Sequence, residues 1–563
     1  MFKFRTLAPL AKGLLGLAAS FALTSAAEAA RTPNFVLIFM DDQGYQDVGV
    51  FGSKTIKTPN LDNMAKEGMK FTDFYSLAPV CSPSRAGLMT GCYPPRVGIT
   101  GVLFPRHNIG LNPEETTIAE ILKTKGYATA AVGKWHIGHL PKFLPTNHGF
   151  DSYFGIPYSN DMDGVKGKDR NLDRAWIERD ISPWNVPLLR NTKVIERPVN
   201  QNTIIERYTQ EAQQFIHSNK DKPFFLYMPL LAPHTPLEAP DDLIEKYADI
   251  ETDLPPARSQ QTDGTRTMSR LMLRESARPM YAAVVDAMDQ AIGQVLTTLD
   301  EEQISDETIV LFFSDNGGAA YSVGGANNAP LRGGKGETFE GGIRVVSLLR
   351  WPDQLAAGGK MESIMTVMDV FPTLMDAAGI KPGPHYPWDG RSLWPAIKDG
   401  KQQPRQDDVF FVSETPIYGQ IMTTVFNEEW KLVQEIQQDQ LTISVTPHLF
   451  NIKDDPNEYI NLAAEHPDVV VAMSQRALEW RALYPISGTR SQLVAPPGWR
   501  APLDWAGYPV PLSELQSEPA RGMAPTKAIE RILDAQHGER GRLTYGCNRP
   551  WYAAGVCIRQ DKE

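Results

Sequence analysis

The residues best suited to chemistry gather in short strings. Asp41-Asp42 and Asp315-Asn316 are two pairs of hard oxygen donors far apart in the chain. Such oxygens suit Ca²⁺ or Mg²⁺ and not zinc. Each pair alone also reads as a helix cap or a turn, so the argument for a metal needs the pairs to meet in space. Residues 81–91, CSPSRAGLMTG, place Cys81 ahead of a Pro-Ser-Arg turn and a short helix start. Arg85 lies close enough in that string to lower a thiol pKa, which makes Cys81 a candidate nucleophile. A structural or disulfide-bonded cysteine is the other reading. Residues 133–138, GKWHIG, and 233–236, PHTP, bring Lys134, His136 and His234, although a lone histidine is more often structural and a lone lysine solvated. Residues 328–337, NAPLRGGKGE, surround Lys335 with glycines whose backbone N–H groups suit an anion, and EGGIR follows at 340–344.

Elements able to position these strings are legible around them. Short, continuously apolar runs at 35–40, 127–132, 224–228, 308–313 and 345–349 read as buried strands. Between them 61–68, 116–125, 205–218 and 280–299 carry the wider spacing of amphipathic helices. This alternation predicts an α/β fold, a large, mainly parallel sheet sandwiched by helices. The polar strings follow directly on the strands, where the ligand crevice of an open α/β sheet lies. Beyond residue 400 the alternation fades into shorter strand candidates at 409–413, 421–426 and 431–435 and a helix at 469–483. These predict a smaller C-terminal α+β domain with an antiparallel sheet, spanning 401–563. Its Pro-rich stretch 494–512 reads as extended chain.

The 563 residues exceed what one hydrophobic core holds, in keeping with a catalytic domain over 30–400 and the smaller one after it. The net charge of -11 and the lack of any long Lys/Arg block argue against nucleic acid as a partner. Two cations within residues 1–5, an apolar run over 7–23 and the small residues Ala27 and Ala29 have the layout of a signal peptide, 1–29. The mature protein is therefore expected to be exported, periplasmic or secreted, with no membrane attachment once the leader is gone. Of the four cysteines, Cys547 and Cys557 flank a Pro- and Gly-containing segment and are expected to pair, whereas a Cys81–Cys92 bridge is not expected.

Residues 81–91 reproduce the signature of the sulfatases, and the chain resembles that family from about residue 34 to 465. The resemblance implies an alkaline phosphatase-like fold and hydrolysis of sulfate esters through a covalent sulfated formylglycine made from Cys81 by a formylglycine-generating enzyme. It further implies one Ca²⁺, favoured over Mg²⁺, held by Asp41, Asp42, Asp315 and Asn316 and completed by residue 81. Gly44, Asp47 and Gly49 continue the same motif. Lys134, His136 and Lys335 match residues that contact the diol or the sulfate, Arg85 helps to orient the diol, and His234 matches the acid that protonates the leaving oxygen. Residues 155–161, GIPYSND, resemble the arylsulfatase A branch, in which the serine matching Ser159 touches the site. Val346 stands where many relatives have proline, a change expected to touch a turn and not the chemistry. Substrates would be sulfated small molecules or glycans, selected by loops over 159–195 and 252–278. The alternatives are a phosphonate monoester or phosphodiester hydrolase of the same superfamily and a calcium-stabilised carbohydrate-binding protein without turnover.

Overall fold

The computed structural model describes residues 32–483 apart from 165–183, 252–253, 255–263, 321–323, 382–387, 414–420 and 439–442. The leader 1–29, the stretch 494–512 and the expected Cys547–Cys557 bridge lie outside the described residues.

Strand β1, Asn34–Met40, reads NFVLIFM, and every residue in it is buried. A strand without polar alternation has to be covered on both faces. Accordingly Val36, Ile38 and Met40 enter one apolar core while Phe35, Leu37 and Phe39 enter another on the opposite face. The remaining strands of this region are β2 Met69–Phe71, β3 Phe74–Tyr75, β4 Ala128–Lys134, β5 Ser152–Ile156, β6 Leu188–Arg190, β7 Lys193–Glu196, β8 Phe224–Pro229, β9 Thr308–Ser314, β10 Ser347–Arg350, β11 Gly359–Met361 and β12 Met365–Thr366. Ten of these twelve strands form one sheet in the order β11-β2-β10-β9-β1-β8-β4-β5-β6-β7, and β12 pairs with β3 separately. The centre, β9-β1-β8-β4-β5, is parallel throughout. Antiparallel neighbours flank it, with β10 against β9 on one side and β6 against β5 on the other.

Helices Pro59–Glu67 and Ile204–Asn219 and the later part of Gly264–Glu301 cover the first core. Cys81–Thr90, Ile118–Thr124 and Val367–Ala377 cover the second. The expected strand at 345–349 starts later, at Ser347, because Val345 bonds to Phe74 and Arg344 bridges to Tyr75 before the sheet is joined.

A separate antiparallel sheet follows, β13 Val409–Ser413, β14 Ile421–Phe426, β15 Trp430–Gln438 and β16 Ile443–Asn451, in sequence order. Strand β16 is an addition to the strand candidates read from the sequence, and it contains Pro447. It is the edge strand, where a missing N–H is tolerated. Helix Pro467–Leu483 covers this sheet through Met473 and Ala477. Another part of the sheet packs on the residues that follow Lys335, with Phe339 among Met422, Val433 and Phe450.

Candidate active site

The register of the central strands builds the site. Met40 at the end of β1 is paired with Ser314 at the end of β9, so the next residues of both chains emerge together. Asp315 N–H donates to the Met40 carbonyl at 3.0 Å, Asp42 N–H reaches Asp315 Oδ1 at 3.4 Å, and Asn316 Nδ2 donates to Asp42 Oδ1 at 2.7 Å. The two oxygen-rich pairs thus form one buried cluster. Lys134 ends β4, and the chain after β8 carries Ala232, whose carbonyl accepts from Asp41 N–H at 3.1 Å, and His234. Cys81 is the first residue of its helix, behind an extended Val80. Ligand atoms of Asp41, Cys81 and Asp315 lie within 4.8 Å of one another, as do those of Asp41, Asp42 and His234.

Cations surround the cluster. Lys134 Nζ donates to Asp41 Oδ2 and, at 2.9 Å, to Ser159 Oγ. Lys335 Nζ donates to Asp42 Oδ2 at 2.7 Å. Arg85 grips Asp315 Oδ2 through Nε at 3.0 Å and a terminal nitrogen at 2.8 Å, and its other terminal nitrogen donates to the Lys134 carbonyl at 2.7 Å. All these side chains are buried. Charges out of water cost several kcal/mol each unless paired, and here carboxylates and cations interleave. The backbone is strained at the same place, since Asp42 and His136 hold φ of 66° and 59°, left-handed values that cost a non-glycine residue about 1 kcal/mol or more.

These surroundings set the protonation states. Burial works to raise Asp41, but Lys134 and then His234, Arg85 and Lys335 outweigh it and hold the carboxyl well below the usual range. Asp315 is pushed up to about 7 by burial and by Asp41 beside it, against the pull of Arg85. Cys81 corrects an expectation: burial pushes its thiol up to about 11, and Arg85 is committed to Asp315. An unmodified thiol here would stay protonated at neutral pH. Burial, with Lys134 and Arg85, keeps His136 neutral. Its Nε2 donates to the Leu103 carbonyl at 2.9 Å, which leaves Nδ1 a buried acceptor without a partner. His234 donates through Nδ1 to the Thr235 carbonyl at 2.6 Å and turns Nε2 toward Asp42 Oδ2, 3.7 Å away.

A metal fits this donor set. Asp41 Oδ1 and Asn316 Oδ1 are buried and lack any hydrogen-bond partner. Orphaned buried acceptors are costly, and a cation that accepts their lone pairs accounts for both at once. The cluster of Asp41, Asp42 and Asp315 with Asn316 is all-oxygen, as hard divalent cations require.

A family model described as Sulfatase matches residues 33–380. The chain belongs to the sulfatase family. A second model, N-sulphoglucosamine sulphohydrolase, C-terminal, matches residues 335–482. The sulfatase is 36% identical to N-acetylgalactosamine-6-sulfatase of Mus musculus over 401 residues, 68% of this chain and 69% of that protein. It is 33% identical to arylsulfatase A of Homo sapiens over 497 residues, 83% of this chain and 90% of that protein. Among solved structures it is similar to Ps i-CgsB, with 31% identity, a TM-score of 0.65, and coverage of 80% of this chain and 93% of that one. The mainly parallel sheet under helices is the fold these proteins share, and the sulfatase is a sulfuric ester hydrolase.

Sequence reasoning missed the support behind the loop that follows Asp42. Asp47 Oδ1 receives Arg278 at 2.6 Å while Oδ2 accepts Asn327 N–H at 2.7 Å. Tyr281 Oη accepts Gly44 N–H at 3.0 Å. Arg278 had been grouped with the substrate loop 252–278, and it is instead a fully buried clamp. Only the spacing of Arg278 and Tyr281 on one helical face hinted at it. The loops 159–195 and 252–278 fall partly outside the described residues. Cys92 is a buried thiol and forms no bridge to Cys81.

Proposed function

We propose that this sulfatase removes sulfate from a sugar hydroxyl with a formylglycine made from Cys81 and one Ca²⁺ held by Asp41, Asp42, Asp315 and Asn316. One observation carries the reading: a buried all-oxygen cluster with two orphaned acceptors lies against residue 81 and is ringed by Lys134, Lys335, Arg85 and His234. A hydrated formylglycine supplies geminal hydroxyls, one to bond to sulfur and the other to expel sulfate afterwards. A bound cation supplies charge that draws off electron density from the ester and keeps a hydroxyl deprotonated.

The side chains do the rest. Lys134 and Lys335 spread positive charge over the sulfate oxygens, where the transition state needs it. Ser159 fixes Lys134 by accepting a hydrogen bond from its Nζ at 2.9 Å. His136 offers Nδ1 to a hydroxyl of the diol, and Arg85 holds Asp315 in place. His234 gives an Nε2 proton to the departing oxygen and is held in that orientation by Thr235.

The sugar is inferred from the relatives. N-acetylgalactosamine-6-sulfatase is named for a sulfated amino sugar, and Ps i-CgsB has been solved in complex with k-i-k-neocarrahexaose. The leader 1–29 supports export to the periplasm or beyond, with a formylglycine-generating enzyme acting on residue 81 as a maturation partner. No helix among the described residues is long and apolar enough to cross a membrane. The test is a panel of sulfated sugars, glycan polymers and aryl sulfates assayed for released sulfate, paired with aryl phosphonates, alongside the mass of the Cys81 peptide. Sulfate release from a sugar by protein carrying the aldehyde is expected. Faster turnover of the phosphonates, or sulfate release by protein with an intact thiol, would sink the reading.

A further inference from the structure

Two strings have no part in the chemistry above: EGGIR at 340–344 and the stretch 449–458 that closes the antiparallel sheet. The fold brings them together around Lys431 of β15. Lys431 Nζ lies 2.7 Å from Glu340 Oε1 and 2.8 Å from Glu458 Oε1, and all three side chains are fully buried. Glu458 Oε2 accepts the Glu340 backbone N–H at 2.8 Å. Glu340 Oε2 accepts from Tyr75 Oη at 3.0 Å. A buried lysine shared by two buried carboxylates from different segments is stable only if every partner stays in place.

The same sheet holds the segment before Glu340 at several further points. Ser413 Oγ donates to the Gly336 carbonyl at 3.1 Å, and Thr424 Oγ1 bonds to Thr338 Oγ1 at 2.6 Å. The Arg332 guanidinium sits 3.9 Å from the centre of the Phe339 ring and 5.6 Å from that of Phe450 on β16. Lys335 lies within this clasped stretch, between Gly333 and Gly336, which hold φ of 78° and 92°. Backbone so free to turn does not place a lysine by itself; its anchors do. On the other side Gly336 N–H donates to the Pro79 carbonyl at 2.7 Å, two residues ahead of Cys81.

We propose that Lys431, Glu340 and Glu458 are positioning residues that lock the C-terminal sheet onto residues 332–340 and thereby set Lys335 against the sulfate. The inference rests on the reading of Lys335 as a sulfate-binding cation. It makes the sheet a part of sulfate recognition through its hold on residues 332–340.

Full-length enzyme carrying Lys431→Met is compared with wild type for KM and kcat on an aryl sulfate and for inhibition by inorganic sulfate. The expected result is a rise of roughly tenfold in KM and in the sulfate inhibition constant, the low end of what losing an outer support costs, with a smaller change in kcat. In a Lys335→Met background the same substitution should add nothing to the sulfate constant, because both act through one group. Glu340→Gln, which keeps the side-chain size, serves if Lys431→Met does not fold. Lower melting temperature with unchanged KM and sulfate constant in the folded enzyme would overturn the lock, as would an effect of equal size in the Lys335→Met background. An unchanged sulfate constant in Lys335→Met alone would overturn the reading of Lys335, and the lock with it.

Discussion

At position 81 burial outweighs the neighbouring lysines and leaves a thiol that stays protonated at neutral pH. A serine there would present a single hydroxyl in place of the geminal pair of a hydrated aldehyde. Cys81→Ser is expected to fold with a melting temperature near wild type and to lose turnover by about 10³-fold or more, the scale on which removed nucleophiles register. Wild-type turnover in that variant would end the covalent step. Glu458 yields a second prediction. Burial, opposed by Lys431 and reinforced by Glu340, pushes its carboxyl up to about 7 from the ordinary 4.5. The folded state therefore holds a proton that the unfolded chain releases between those values, so this group subtracts stability as pH rises through that window. Glu458→Gln removes the slope, and urea midpoints should show the variant gaining on wild type from pH 5 to pH 7.5. A difference independent of pH would contradict the assignment.

Strand β4 illustrates how an element delivers a side chain. Its Gly133 holds φ of 139°, and a Cβ there would come 1.9 Å from the Pro229 carbonyl of the neighbouring chain. Only glycine lets β4 and β8 approach closely enough for Lys134 and His234 to share one cluster. Gly133→Ala is expected to cost about 3 kcal/mol by denaturant unfolding, from overpacking and strain together, and to lower kcat as Lys134 is displaced. A variant with wild-type stability and kcat would show that the contact relaxes without moving the site. Helix Cys81–Thr90 solves a similar problem, since its N-terminus presents residue 81 to the metal cluster while Arg85, one turn on, reaches Asp315.

Across the whole molecule the net charge of -11 gives an anionic substrate no long-range help, so attraction has to come from the lysines at the site and from a bound cation. Without a cation, the carboxyl groups of Asp41, Asp42 and Asp315 and the orphaned Asn316 Oδ1 sit together in the interior. Chelation is expected to lower both activity and melting temperature, and Ca²⁺ at a thousandfold excess over its Kd should return about 4 kcal/mol of stability. Calorimetric titration of the chelated protein checks this independently of turnover. Mg²⁺ restoring more stability than Ca²⁺ at equal concentration would reverse the choice of ion.

The sequence alone determined which strings carry chemistry and that they follow strands. Continuous apolar runs such as 35–40 and 308–313 read as strands buried on both faces, and the polar residues after them fall at the crevice of an open α/β sheet. Those are local properties of the chain, written in short windows. Tertiary structure decided who meets whom. The pairing of Met40 with Ser314, the hold of Arg85 on Asp315, the Asp47–Arg278 clamp and the sharing of Lys431 by Glu340 and Glu458 all join residues far apart in sequence. Such partnerships depend on sheet order and register, which no window of the sequence contains. For the same reason Arg85, five positions into the 81–91 string, acts on a carboxylate across the sheet, while the cysteine beside it is governed by burial.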